Sequence, residues 1–248
     1  MTEVRLDQGQ GISTASRSET WLGVVVTGRF PERALITLLV STAGFTLASA
    51  AGWAADQIWQ AEDLARYLNV DAEANLPTWL GASLLLLSAV LLAVIAFAPV
   101  QARSARGYWL LLSGVFLLLS IDETTRLHES LGEALQRAWE TEGLIRFAWI
   151  LPYGVVGLLL LVALIPFLVA LPGRTRNLFL LAGVLYVIGA AGINALTGAL
   201  IEGDPPQGAI TVLGHVEEIL EMSGVSLFLF ALLDYLRSAV LILEPQSD

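Results

Sequence analysis

Six apolar runs, each long enough to cross the roughly 30 Å hydrocarbon core of a bilayer, decide what this chain can fold into. Inside a membrane the backbone has no water to bond, so each run must satisfy its own amides and carbonyls as a helix. The runs fall at about 34–55, 78–99, 107–127, 148–171, 177–200 and 210–243. Pro77, Pro99, Pro152 and Pro172 stand at several of their ends, where proline marks a helix boundary. The expected fold is therefore all-α, a polytopic membrane bundle of six transmembrane helices. Composition agrees: only 15% of the 248 residues are charged, against about 25% in an ordinary soluble domain.

The flanks give an orientation. Residues 1–33 form a polar N-terminal segment, 34–243 the transmembrane domain and 244–248 a short tail. All thirteen basic residues are Arg. Arg5, Arg17, Arg29 and Arg33 precede the first run, Arg103 with Arg106 and Arg174 with Arg176 fill two loops, and Arg237 closes the last run. The alternate loops are acidic, with Asp56, Glu62, Asp63, Asp71 and Glu73 before the second run and Glu202 and Asp204 before the sixth. Counting Arg places both termini in the cytoplasm and the chain in the plasma (inner) membrane. The polar leader is long for a signal peptide, so the first run is expected to stay as a span although Ala48-Ser49-Ala50 offers a small-residue cleavage pattern.

Other classes drop out. With no cysteine there is no disulfide, iron–sulfur cluster or thiol nucleophile. A net charge of −10 does not suit nucleic acid, which needs a basic footprint. Phosphate-binding glycine loops and the nucleophile elbow are missing from the sequence. Residues 126–142 read as an amphipathic helix on the outer surface, with Leu127, Leu131 and Leu135 on one stripe. Small residues repeat every four positions at Gly44, Ala48 and Gly52 and at Ala191, Ala195 and Ala199, which suits close helix packing and permits an oligomer.

The informative residues are the polar ones that interrupt the apolar pattern. The third run ends in Ser120-Ile121-Asp122-Glu123-Thr124-Thr125-Arg126-Leu127-His128-Glu129, and the sixth opens with His215-Val216-Glu217-Glu218-Ile219-Leu220-Glu221. At 1.5 Å per residue, both clusters fall in the outer part of the bilayer, beside Asn194, Thr197 and Tyr153. Asp122, Arg126 and Glu129 share a helix face, and His215, Glu218 and Glu221 fan across an arc of theirs at i, i+3 and i+6. An imidazole and carboxylates at such spacing can point at one cation, as in bundle di-metal proteins. Asp122, His128, Glu129, His215, Glu218 and Glu221 are the expected ligands of a divalent metal ion, with Zn, Fe and Mn the compatible choices. Glu73, Asn75, Glu123 and Glu217 stand as inner or supporting members of the same site. A second interpretation needs no metal: the sixth span begins at 222, and Arg126 neutralises Asp122 and Glu129 as neighbours on one helix.

Three segments, Asp71-Ala-Glu-Ala-Asn-Leu-Pro-Thr-Trp79, Ser120 to Glu129 and Val216-Glu-Glu-Ile-Leu-Glu-Met-Ser-Gly224, resemble those of a group of uncharacterised bacterial multi-pass membrane proteins. The resemblance implies that Glu73, Asn75, Asp122, Glu123, His128, Glu129, Glu217, Glu218 and Glu221 work as one unit. Membrane hydrolases related to alkaline ceramidases hold zinc with three histidines, and this chain has two. Three functions fit: a metal-dependent enzyme acting on a lipid or lipophilic substrate, a proton- or cation-coupled transporter, and a structural subunit with paired charges.

Overall fold

The computed structural model describes residues 28–60, 62–70, 75–98 and 103–243. Most of the polar leader, the tail 244–248, and Asp71 and Glu73 lie outside the described residues. Among those described there is no strand, and six helices are long and apolar enough to cross a membrane. The protein is a multi-pass membrane helix bundle.

Helix α1 spans Phe30–Trp59 and short α2 spans Glu62–Leu68. Helix α3 (Leu76–Phe97) starts at a cap: Asn75 accepts the Thr78 amide at 3.1 Å, and Pro77 sits in the first turn, where its missing amide costs nothing. Helix α4 is Arg103–Thr125 and the amphipathic α5 is Leu127–Trp139. A 3₁₀ turn at Gly143–Ile145 leads to α6, Ile150–Ala170. The fifth span is composite: α7 (Gly173–Val187), a π-helical segment (Ile188–Ile193) and α8 (Asn194–Ile201). The long α9 covers Gln207–Leu243.

Apolar character does not decide which helix is central. α6 is an almost unbroken Leu/Val helix, yet only 11% of its most apolar stretch is buried, whereas 67% of that of α9 is buried. α9 is the axis of the bundle, packed against α7, α1, the π segment and α3, and α3 pairs closely with α4. Glycine permits close approach here: a Cβ on Gly224 of α9 would stand 2.9 Å from the Ala182 carbonyl oxygen and from the Tyr186 amide nitrogen of α7.

The two ends of the bundle differ in charge and filling. At the end bearing Arg103, Arg174 and Arg237, aromatic rings close the interior. Trp109 is fully buried, edge-on to Phe167 at 4.9 Å and to Phe179 at 6.2 Å, with Tyr235 at 5.1 Å. Phe228 stacks on Phe116 at 4.4 Å just beyond. Asp234, 3% exposed, accepts from Arg174 Nε at 2.7 Å and pairs with Arg237, which also reaches Glu32 at 2.7 Å. Asp234 and Arg237, three residues apart on α9, thus form a pair that Arg174 joins. The opposite, acidic end holds the histidines and most of the buried carboxylates.

Candidate functional site

Helix α4 ends because Arg126 adopts the left-handed conformation, φ 58°, after which the chain turns back into α5. That reversal brings His128 under the last turn of α4. Asp122, 9% exposed, accepts the His128 backbone amide at 2.8 Å, lies 3.1 Å from its Nδ1, and accepts the Tyr153 hydroxyl from α6 at 3.3 Å. A carboxylate facing Nδ1 holds the proton there and makes Nε2 the basic nitrogen. Trp149 completes the setting, with its ring edge-on to His128 at 5.1 Å and pressed onto Gly132 of α5. Arg126 pairs with Glu129, as expected from their spacing, whereas Asp122 is taken by His128 and Tyr153.

Glu123, the next residue on α4, points about 100° away, towards α3. A Cβ on Gly81 would stand 3.1 Å from Glu123 Oε1, so the carboxylate lies flat on the α3 backbone. His128 and Asp122 are within electrostatic reach of Glu123, and Glu123, Glu217 and Glu218 are within reach of Glu221. Tyr186 of α7 sits among them, near Glu221, Glu123, Asp122 and Glu218. Neither Glu123 nor Glu221 forms an ion pair among the described residues.

The π segment shapes the other wall. A Cβ on Gly189 would meet Glu221 Cγ at 2.8 Å and the Glu217 carbonyl oxygen at 2.9 Å, so α9 rests directly on this turn. Asn194, at its end, donates to the Ala190 carbonyl at 2.9 Å and to Glu217 Oε1 at 2.5 Å. Widened π turns inside helices frequently accompany functional sites. Gly189 is thus a docking seat for the glutamates of α9.

The residues expected from sequence are therefore sorted. Asp122, Glu123, His128, Glu217, Glu218 and Glu221 form one strip across α4, α5 and α9. Glu129 stands aside with Arg126, and Asn75 serves as a helix cap that also bonds the Asn69 carbonyl at 2.6 Å. His215 turns into a separate cavity, and Glu73 lies outside the described residues. Among the described residues, no three His, Asp or Glu side chains are grouped so as to hold one metal ion. Tyr186, Gly81 and Gly189 were not expected. The paired glycines of Ile188-Gly-Ala-Ala-Gly-Ile193 were the sequence signal available for the last.

One turn along α5 from His128, α5 and α6 form an open apolar crevice of about 520 Å³ lined by Leu131, Leu135, Trp139, Leu151, Pro152, Val155 and Val156. Leu131 and Leu135 of the leucine stripe on the amphipathic helix face this crevice.

These features define a polytopic membrane protein with an acid, histidine and tyrosine strip at one end of its bundle. The chain belongs to the family described as a domain of unknown function, DUF8692, whose model matches residues 33–236. No curated protein and no solved structure matches the chain.

Proposed function

We propose that the chain is an enzyme of the plasma membrane, with both termini cytoplasmic, that works from the outer face on a lipid or other lipophilic substrate. The observation that carries this reading is the hold of Asp122 on Nδ1 of His128, which leaves an imidazole oriented as a general base. The apolar crevice one turn along α5 suits an acyl chain. The aromatic plug around Trp109 closes the route to the arginine end, which favours one-sided chemistry over passage. A divalent metal belongs to the proposal on donor chemistry alone, since imidazole and carboxylate suit Zn, Fe or Mn, which would activate water.

The test is incubation of the purified protein with a total membrane lipid extract, followed by mass spectrometry of the lipids and metal analysis of the protein. A new lipid species is expected with the wild type, formed about 100-fold more slowly by His128→Gln. Metal present near one equivalent and lost in Glu221→Gln supports the metal. Metal-free active protein removes it from the proposal. No lipid product from any extract overturns the enzyme.

A second reading, a proton- or cation-coupled transporter, draws support from Glu123 and Glu221 standing together with no ion pair beside a π segment. Ion-dependent uptake by proteoliposomes, abolished in Glu221→Gln, would favour it.

A further inference from the structure

A polar cavity, of about 270 Å³, opens where the acidic ends of α1, α2 and α9 meet. Its chemistry is unlike that of the glutamate strip. Asp56 of α1 and Arg66 of α2 both line it, and neither is in an ion pair among the described residues. Trp53, 44% exposed, and Gln207 add an aromatic face and an amide. His215 forms the wall from α9. Its Nδ1 lies 2.7 Å from the Thr211 carbonyl oxygen, which can only accept, so Nδ1 carries the proton. Nε2 is then an acceptor, and it is buried without a hydrogen-bond partner. A buried acceptor left unmade costs roughly 1–3 kcal/mol, so a donor is wanted at that point.

We propose that this cavity binds a phosphate–ammonium zwitterion, the phosphoethanolamine group. Arg66 is the cation for the phosphate, whose paired oxygens match the guanidinium fork. Asp56 accepts from the ammonium, which carries three N–H donors, and Trp53 and His215 line the same cavity. Among the described residues the lining carries one Arg and one Asp, a pair that matches a zwitterion better than a simple phosphate or a simple amine, and the volume lies just below the range of drug-sized sites. The outer headgroup layer, where the orientation reading puts this end, is where phosphatidylethanolamine presents that group. The site is distinct from the Asp122–His128 pair, and its success or failure leaves the enzymatic reading unchanged.

The experiment measures the thermal shift and Kd of the full-length protein in detergent with short-chain phosphatidylethanolamine, phosphatidylglycerol and soluble phosphoethanolamine. Phosphatidylethanolamine is expected to raise Tm and to bind at least tenfold more tightly than phosphatidylglycerol. Arg66→Gln and Asp56→Asn should each weaken it about tenfold, and Trp53→Leu less, with the shift read relative to each variant's own lipid-free Tm. Equal binding of soluble phosphoethanolamine identifies a free zwitterion as the ligand, and binding of the lipid alone identifies a headgroup; both support the site. Equal response to phosphatidylglycerol, or wild-type binding by both charge variants, overturns it.

Discussion

The two ends of α9 handle buried charge in opposite ways. Near the arginine end, Asp234 is almost fully enclosed and held by Arg174 and Arg237, with Glu32 closing the network. Near the acidic end, Glu221 lies within electrostatic reach of Glu217, Glu218 and Glu123 and has no counter-cation among the described residues. Electrostatic repulsion in a low-dielectric interior is too costly to keep without a use. The contrast separates a structural clamp from a working site on one helix, and it can be tested by charge removal at each end.

The largest effect is expected at the clamp. Asp234→Ala strips the anion from two arginines and should lower unfolding stability by roughly 3 kcal/mol, read as a drop in thermal midpoint in detergent. Arg174→Ala should cost less, because that side chain is 66% exposed and Arg237 remains. If both substitutions are silent, the clamp is no clamp and the contrast fails.

Steric intrusion at the acidic end comes next. Gly189→Ala would place a methyl 2.9 Å from a backbone carbonyl of α9, which cannot swing aside as a side-chain tip can. A loss of about 2 kcal/mol is expected, the scale of overpacking. Gly44→Ala, where the same Cβ meets nothing within 4 Å, serves as the control and should be neutral or slightly stabilising. Equal behaviour of the two variants would mean that the π segment and α9 are not seated against one another.

Charge removal at the acidic end should have the opposite sign from the clamp. Glu221→Gln removes one carboxylate from among Glu217, Glu218 and Glu123 while keeping its shape. Stability should hold or rise by up to about 1 kcal/mol, since like charges three and four apart on a helix are destabilising. A fall as large as that of Asp234→Ala would show that Glu221 is held by a counter-charge, and the two ends would then be alike.

How much of this was legible in the sequence depends on the kind of contact. The six spans follow from apolar length alone, and each observed helix lies within a few residues of its expected run. Burial order was not legible, because lipid and protein interior are equally apolar to a leucine, so α6 and α9 cannot be ranked by hydropathy. That the acids of the third and sixth spans fall at one depth was readable from the helix rise. The Asp122–His128 contact was not, because it depends on a left-handed Arg126, and arginine carries no signal for that conformation. Asn75 was readable as a cap from Asn-Leu-Pro-Thr78, yet its place beside Glu73 drew it into the site instead. His215 shares a helix face with Glu218, but its ring follows its own carbonyl at Thr211 and turns towards α1.

The turn at Arg126 gives the smallest and sharpest test, because it decides whether the Asp122–His128 pair is imposed by the backbone. A non-glycine residue in the left-handed region costs roughly 1 kcal/mol. Arg126→Gly relieves that strain and removes an exposed ion pair to Glu129, itself worth only a few tenths of a kcal/mol. The balance should be a gain of about 0.5 kcal/mol in stability, with the His128 setting unchanged. Arg126→Val should go the other way, since a β-branched residue tolerates positive φ poorly. If Arg126→Val folds with unaltered stability, the α4–α5 reversal is not fixed at that residue. His128 would then owe its place to Asp122 and Tyr153 alone, and Asp122→Asn should loosen α5 as a whole, seen as faster amide exchange across Leu127–Trp139.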